Sequence, residues 1–269
     1  MKEQSKNRLT LDLTKTIDEN AAVYFERAKK IKKKIEGAER ALNENFKKLQ
    51  ELEAKRDKII LKKSKEEKLK ERKHEWYEKF RWLISSEGLL VIGGRDATSN
   101  EIVIKKHTDS NDLVFHTDMA GSPFFVVKSE GKQIGEKTKN ETADATCTFS
   151  KAWKLGLQTS DVFYVTPEQV SKKTKAGEYM GKGAFMIYGE TNYITNKVNL
   201  AVGITKAQQV MAGPIEAIKA NCDKYVVLEQ GNEKAGAIAK KINHKLGGNS
   251  DLDEIIRALP SGGFSVKKT

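Results

Sequence analysis

The most constraining feature of this sequence is a long heptad pattern in a segment without proline. Residues 1–80 contain no proline and a single glycine, Gly37. Apolar residues recur there at alternating steps of four and three, which places them on one face of a coiled-coil helix. We call these positions the seam: Ile17, Ala21, Tyr24, Ala28, Ile31, Ile35, Ala38, Leu42, Leu49, Leu52 and Ile59. Asn45 and Arg56 interrupt the seam, and Thr16 or Asp18 is suited to cap the helix N-terminus.

A single helix cannot bury this seam alone, so the pattern predicts a helical partner. Residues 61–67 are interpreted as a turn. A shorter return helix would follow it, with its own apolar positions at Leu69, Trp76, Phe80 and Leu83. A helical hairpin within 1–80 is the favoured interpretation, and a homodimer formed through the helix is the alternative.

Beyond residue 80, glycine is frequent and β-rich runs alternate with helical windows. Predicted strands lie at 89–92, 113–115, 124–127, 162–165, 185–188, 198–204, 209–211 and 225–228. Predicted helices lie at 102–107, 141–155 (with Gly156 as C-cap), 215–220, 234–246 and 252–259. Several strands in succession favour an α+β fold over a parallel sheet. We therefore predict a coiled-coil region at 1–80, a mixed α/β domain at 81–203 and a small α/β module at 204–269.

The charge balance indicates an acidic partner. The chain carries 49 Lys and Arg against 37 Asp and Glu, a net charge of +12. This excess favours RNA, DNA or an anionic membrane surface. No apolar run is long enough to span a bilayer and the N-terminus lacks a secretory pattern, so we expect no membrane partner. Cys147 and Cys222 are interpreted as small buried side chains in a reducing cytoplasm.

Recognised catalytic and metal-binding motifs are missing from the sequence. None of the four histidines has a second ligand at a recognised metal-site spacing, and no nucleophile elbow, Walker loop or Rossmann fingerprint occurs. We therefore expect no enzyme activity, no metal and no cofactor. The turn at 93–96 has two interpretations. It either presents backbone N–H groups to a phosphate or simply joins a strand to a helix capped by Asp96 or Thr98.

Two stretches combine residue types that suit RNA. Residues 169–189 place a tyrosine among lysines and glycines, at Lys172, Lys173, Lys175, Tyr179 and Lys182. Lysines neutralise phosphates and tyrosine stacks on an unpaired base, although an exposed, solvated loop would have the same composition. Residues 112–128 predict two strands around a turn, with His116 and Asp118 on one sheet face. His116 there is either a structural hydrogen-bonding residue or, oriented by Asp118, a base or ribose contact.

These stretches, together with residues 75–107, resemble the RNA-binding domain of the NFACT family, the RqcH/NEMF-type factors of ribosome quality control. Residues 11–38 resemble the coiled-coil entry of archaeal members, and 213–219 and 251–263 resemble their C-terminus. The resemblance covers nearly the whole chain. It implies a protein that binds the large ribosomal subunit, tRNA and rRNA in the rescue of stalled translation. Relatives recruit aminoacyl-tRNA for untemplated extension of the stalled chain, while the ribosome forms the peptide bond.

The resemblance also implies RNA-facing or site-framing positions. Asp112, His116, Asp118 and Gly121 match the family's strand-and-turn signature, and 93–96, which includes Arg95, match its glycine–arginine turn. The later motif is matched by Ser171, Lys172, Gly177, Glu178 and Tyr179. With Lys173, Lys175 and Lys182 from the lysine-rich stretch, these positions make up the predicted RNA-binding set.

Full-length relatives begin with a separate NFACT-N domain and a helix-hairpin-helix region, which the printed sequence lacks. The expectation is therefore a fragment, a split gene product or a short form, with a separate NFACT-N-containing chain as a further partner. Autonomous tailing is not expected from this chain, whereas cytoplasmic ribosome or RNA binding is. Two alternatives remain at this stage: a coiled-coil protein-interaction adaptor that does not bind RNA, and a surface adhesin.

Overall fold

The structure is a computed structural model that describes residues 9–70, 74–172 and 181–267, with the side chains at 54 and 57–70 left aside. The chain forms two compact units, 1–68 and 69–269. A long helix followed by a mixed domain with antiparallel sheets confirms the predicted α+β class. Within the described residues, no helix is long and apolar enough to cross a membrane.

Helix α1 (Ile17–Lys70) makes up nearly all of the described part of the first unit. Thr16 caps it as predicted: the Glu19 N–H donates to Thr16 Oγ1 (3.2 Å), and the Thr16 N–H donates to Glu19 Oε2 (2.8 Å). This reciprocal pair satisfies backbone donors at the helix start. Seam side chains are largely exposed to solvent; Leu42, for example, is 72% exposed.

The predicted hairpin turn and return helix are wrong. Residues 61–67 continue α1 because Ser64 is the only weak helix former among Leu, Lys and Glu. Residues Trp76–Lys79 form a 3₁₀ turn, and Arg81–Ile84 form strand β1. Leu83 is fully buried in the second unit, so the heptad-like spacing around it reflects burial in a sheet.

The described part of the second unit contains two main antiparallel sheets and six α-helices. The strands are β1 (Arg81–Ile84), β2 (Leu90–Gly93), β3 (Leu113–Thr117), β4 (Phe125–Val127), β5 (Val162–Val165), β6 (Val170–Ser171), β7 (Met186–Ile187), β8 (Asn192–Ile194), β9 (Leu200–Thr205), β10 (Val210–Gly213), β11 (Cys222–Glu233) and β12 (Phe264–Val266). The helices are α2 (Ala97–Lys106), α3 (Glu136–Thr148), α4 (Lys151–Leu155), α5 (Ile215–Asn221), α6 (Ala235–Lys245) and α7 (Leu252–Ala258).

The first sheet has the order β1-β2-β4-β3-β5-β8, and the second has the order β10-β9-β11-β12. One apolar core joins them. The Ile84 N–H donates to Met211 Sδ (3.3 Å), which links the edge strand of the first sheet to β10. Strand β9 runs across the predicted limit at residue 203, so the two predicted α/β regions share a strand.

Local sequence rules succeed at several element ends. The predicted helix at 141–155 is two helices: α3 ends at Thr148, and Ser150 caps α4 by accepting a hydrogen bond from the Ala152 N–H (3.0 Å). Gly156 closes α4 in a left-handed conformation (φ +74°), as predicted.

Cys147 and Cys222 are both buried and free, and burial raises the pKa of the Cys222 thiol to about 11. Their interpretation as small core side chains is confirmed.

Candidate nucleic-acid interface

A cleft of about 590 Å³ opens between the 93–96 turn, the β3–β4 turn and helix α4. We call it the basic cleft. Its cationic side chains are Arg81, Arg95, Lys151, Lys154 and Lys182. Asp96 is the one carboxylate among its described lining residues, so the cleft has a net charge of +4. Aromatic side chains also line it: His116, Phe124, Phe149 and Phe185.

The 93–96 turn does not offer free backbone donors. The Gly94 N–H donates to Phe124 O (3.1 Å), and the Arg95 and Asp96 N–H groups donate to Ser99 Oγ (2.8 and 2.9 Å). Asp96 caps α2 by accepting from the Ser99 N–H (2.8 Å), which holds the pKa of the Asp96 carboxyl below its usual value. The capping interpretation is therefore correct, and the phosphate-binding one is wrong because these N–H groups already have acceptors.

The side chain of Arg95, one of the predicted RNA-facing positions, lines the basic cleft. Its Nη2 donates to two backbone carbonyls, Glu78 O (3.2 Å) and Phe80 O (2.8 Å), while its buried Nε has no partner. Backbone carbonyls orient the guanidinium but do not neutralise it. Burial and the positive charge of Arg257 lower the pKa of Arg95, and the charge of the Asp96 carboxylate opposes this lowering only in part.

Arg81, from strand β1, lies beside Arg95. Its Nη1 donates to Leu259 O (3.0 Å), and its guanidinium lies 4.6 Å from the centre of the Phe149 ring. Burial and repulsion from Arg95 lower the pKa of Arg81 to about 10. It nevertheless remains charged at neutral pH, so the cleft wall holds two partly dehydrated cations.

His116 lies on the aromatic wall of the basic cleft. Its ring stacks on Phe124 at 4.1 Å, and its Nε2 lies 3.2 Å from Ser122 O, which assigns the proton to Nε2. Burial lowers the pKa of His116, so the neutral ring predominates at pH 7. Asp118 instead accepts a hydrogen bond from the Tyr193 hydroxyl (3.1 Å). In the described structure the structural interpretation of His116 therefore fits, and Asp118 makes no hydrogen bond to orient it.

Asp112 is a structural residue. Its side chain is 1% exposed, accepts from the Ser129 N–H (2.9 Å) and the Asp109 N–H (2.8 Å), and forms an ion pair with Lys128. Lys128 is itself buried and also pairs with Asp109. Burial removes Asp112 from the RNA-facing positions, because its oxygens are already saturated with donors. Only the site-framing role remains for it.

Gly121 forms the turn between β3 and β4 at the mouth of the cleft. Its φ of +81° lies in the left-handed region, which favours glycine. A side chain there would approach Lys151, whose Cε and Nζ would lie 3.7 Å from an added Cβ. The conformation explains the glycine and keeps the approach to Lys151 open.

The lysine-rich stretch 169–189 is only partly described. Lys172 donates to Gly181 O (3.2 Å), lies 5.0 Å from the centre of the Phe185 ring and forms an ion pair with Glu101 (3.7 Å). Ser171 belongs to the short β6–β7 ladder. The predicted positions Lys173, Lys175, Gly177, Glu178 and Tyr179 lie outside the described residues.

Three cleft cations were not predicted: Arg81, Lys151 and Lys154. The sequence pattern predicts a return helix at Arg81, and it therefore does not predict that Arg81 lies on a wall of the cleft. Lys151 and Lys154 are three residues apart on α4 and so share a helix face, a signal that the sequence does contain. The sequence does not predict that these two lysines lack acidic neighbours, because this depends on which elements pack beside α4.

The fold also brings together a set of metal-ligand atoms that sequence spacing does not predict. His74 Nδ1 lies 3.0 Å from Glu78 Oε2 and 3.9 Å from Glu254 Oε1. Glu78 also accepts from Gln209 Nε2 (2.9 Å) on Oε1. This cluster connects the segment before β1 to α7. Glu254 lies 176 positions after Glu78 in the sequence. It lies outside the basic cleft.

Comparison with known proteins gives concordant matches. Residues 79–189 match the family model described as NFACT protein RNA binding domain. The archaeal Rqc2 homolog aRqcH of Methanocaldococcus jannaschii is 41% identical over 74% of this chain and 30% of its own length. The human ribosome quality control complex subunit NEMF is 36% identical over 65% of this chain and 16% of its own length. This chain thus spans less than a third of these relatives.

A solved structure, the C-terminal part of the fibronectin/fibrinogen-binding protein of Streptococcus suis, matches 44% of this chain and 45% of its own chain. It does so with 18% identity and a TM-score of 0.37, which is too low to support a functional argument. The sequence matches are specific. They place an NFACT RNA-binding domain over β1–β7 and give archaeal and eukaryotic relatives that extend beyond it. On these matches, the chain belongs to the NFACT family of RqcH/NEMF-type proteins.

Proposed function

We propose that this chain is an RNA-binding component of ribosome-associated quality control. In this proposal it binds the large ribosomal subunit together with tRNA or rRNA in the cytoplasm during the rescue of stalled translation. The family relationship supports the process, since the matched relatives carry ribosome quality control names. The basic cleft supports RNA as the ligand.

One observation carries the RNA proposal: the cations of the basic cleft lack acidic partners. None of its five cationic side chains forms an ion pair within 4 Å with a carboxylate in the described part of the chain. A carboxylate within ion-pair distance would offset each of these charges and reduce its attraction for a polyanion. Here the charges stay available for phosphates, and binding would release counterions from the RNA.

The predicted site positions fit this proposal unequally. Arg95, His116, Gly121 and Lys182 line the basic cleft, and Lys172 lies next to it through Phe185. We assign phosphate contacts to the cations, an aromatic contact surface to His116 and a framing role to Gly121. Asp118 and Ser171 lie outside the cleft lining, and we propose that they border the RNA path.

A salt titration of RNA affinity tests the proposal. If five phosphates are neutralised, log Kd against log salt should have a slope magnitude of about 3.5 for single-stranded RNA. Ribosome co-sedimentation, with separated subunits and purified tRNA as competitors, would then identify the preferred partner. An affinity that does not change between low and high salt would contradict the proposal.

The exposed seam supports a second candidate, a coiled-coil interaction. Ile31, Ile35, Leu42, Leu49 and Leu52 are each more than half exposed in the chain by itself. A heptad face of this length has to pair with another helix to gain stability. A stable dimer in sedimentation at nanomolar concentration, without RNA association, would favour an adaptor role over RNA binding. No described feature favours the adhesin alternative.

A further inference from the structure

The pair Arg81 and Arg95 differs from ordinary surface cations. Both guanidiniums are partly buried and are held by backbone carbonyl oxygens, and neither has a carboxylate partner in the described structure. Arg95 Nε is buried without any acceptor. Burial, followed by repulsion from Arg95, lowers the pKa of Arg81 to about 10. An unpartnered donor and two guanidiniums without an ion pair within 4 Å in the described structure together suit an anionic acceptor in the cleft.

Aromatic side chains also line the same cleft. Phe185 contacts Phe124 edge to face, with ring centres 5.5 Å apart, and His116 stacks on the other ring of that pair. Phe185 and His116 are partly exposed, whereas Phe124 is almost fully buried behind them. Because His116 is neutral at pH 7, it presents an aromatic ring rather than a second charge. An unpaired base stacks on surfaces of this kind.

We propose that the basic cleft binds one unpaired nucleotide of an RNA strand, with a phosphate on Arg81 and Arg95 and the base against Phe185 and His116. This inference rests on the proposed RNA-binding function and specifies the form of RNA that the cleft accepts. Arginine suits the phosphate role because its planar fork donates two parallel hydrogen bonds to phosphate oxygens. Lys151 and Lys182, from other walls, would contact the flanking phosphates.

The geometry favours a single strand over a duplex. A volume of about 590 Å³ is in the range of a pocket for a small ligand, and an A-form helix cannot enter such a space. Proteins read duplex RNA by contacts across its surface and stack aromatic side chains on bases that are already unpaired. An aromatic wall inside a concave site would remain unused by a duplex.

The test compares two forms of one RNA with the unmodified protein. A short oligoribonucleotide containing 2-aminopurine is titrated as a single strand and as a blunt duplex at the same salt concentration. We expect the single strand to bind at least about tenfold more tightly and its 2-aminopurine fluorescence to be quenched, since stacking on one aromatic contributes about 5- to 150-fold. Adenosine 5′-monophosphate should compete for the site better than inorganic phosphate.

Two variants test the base-contacting and phosphate-contacting parts of the site separately. Phe185→Leu keeps an apolar side chain and should lower single-strand affinity about fivefold or more while leaving duplex affinity unchanged. Arg81→Lys keeps the charge and removes the fork, so it should weaken single-strand binding without changing the salt slope. Tyr225→Leu, an exposed aromatic outside the cleft, is the matched control and should have no effect.

The outcomes separate this inference from the function on which it rests. Equal affinity for both RNA forms without quenching would overturn the inference, while a strong salt dependence would still support the proposed function. If neither the single strand nor the duplex binds, both the inference and the proposed function are overturned. Because the central comparison uses the unmodified protein, a variant that fails to fold cannot hide the result.

Discussion

Helix α1 and the basic cleft are both rich in cations, but they arrange them in opposite ways. Residues 17–56 carry 11 Lys and Arg against 8 Asp and Glu, a net charge of +3 spread over about 60 Å of helix. The basic cleft collects a net charge of +4 around one concavity. At physiological salt, charges more than about 8 Å apart on a solvated surface are largely screened from each other. If the proposed function is correct, local clustering of cations away from carboxylates should affect RNA affinity more than the number of lysines does.

The two regions also differ in what their apolar side chains do. Seam residues of α1 are exposed in the single chain, whereas β1 places Leu83 at 0% exposure. An exposed heptad face stabilises a protein only through association, while a buried core side chain stabilises the monomer. Four predictions test this comparison, from the largest expected effect to the smallest.

Breaking the buried ion pair should have the largest effect. Lys128→Met would leave the Asp112 carboxylate buried without its cation, which should lower the free energy of unfolding by about 3–5 kcal/mol. Chemical denaturation of the second unit measures this change. Lys105→Met removes an exposed salt bridge to Glu101 and serves as control, with an expected loss below about 1 kcal/mol. Equal losses would mean that the Lys128 pair is not buried in solution.

Truncating one leucine in each region should separate monomer stability from association. Leu83→Ala should lower the free energy of unfolding of the second unit by about 2–5 kcal/mol at any protein concentration. Leu42→Ala should change the unfolding of an isolated chain by less than about 0.5 kcal/mol. If melting of the Leu42→Ala variant instead falls strongly and depends on concentration, the seam is buried by another helix.

Equal charge reversals in the two regions should change RNA affinity unequally. Lys151→Glu with Lys154→Glu should weaken RNA binding by about 30-fold at 0.1 M salt and reduce the slope magnitude by about 1.4, the equivalent of two phosphates. Lys29→Glu with Lys33→Glu on α1 should weaken it about threefold or less, because those charges are solvated and dispersed. The pair Lys240→Glu and Lys245→Glu on α6 controls for net charge. A larger loss from α1 than from the cleft would reverse the comparison.

The smallest expected effect is the dependence of folding stability on pH. We expect it in the second unit, since α1 contains no histidine. Burial lowers the pKa of His116 in the folded state, so the unfolded chain binds its proton first as pH falls. Stability should therefore be complete above the unfolded pKa of about 6.5 and decline as pH falls from there toward the folded pKa. His116→Phe should flatten this decline in urea titrations at pH 7.5 and 5.5. His107, whose pKa is also lowered by burial, should account for the pH-dependent loss of stability that persists in the His116→Phe variant.

Much of the local structure could be predicted because local rules decide it. The reciprocal cap at Thr16, the left-handed Gly156 and the α6 helix follow from side-chain chemistry and periodicity within a few residues. Strand β1 could not be predicted in the same way. Trp82 and Leu83 fit a heptad and a buried strand equally well, and pairing with β2 through the Gly88 turn favoured the strand.

The sequence by itself determined the long amphipathic helix, the α+β class, the basic character and the family motifs. The tertiary structure alone decided that Asp112 is buried with Lys128 and that Arg95 and Lys182 face the same cleft as Arg81, Lys151 and Lys154. The physical reason is that a residue's charge and periodicity are local properties. Burial and isolation from counter-charges depend on segments that are distant in the chain and meet only when the sheets pack.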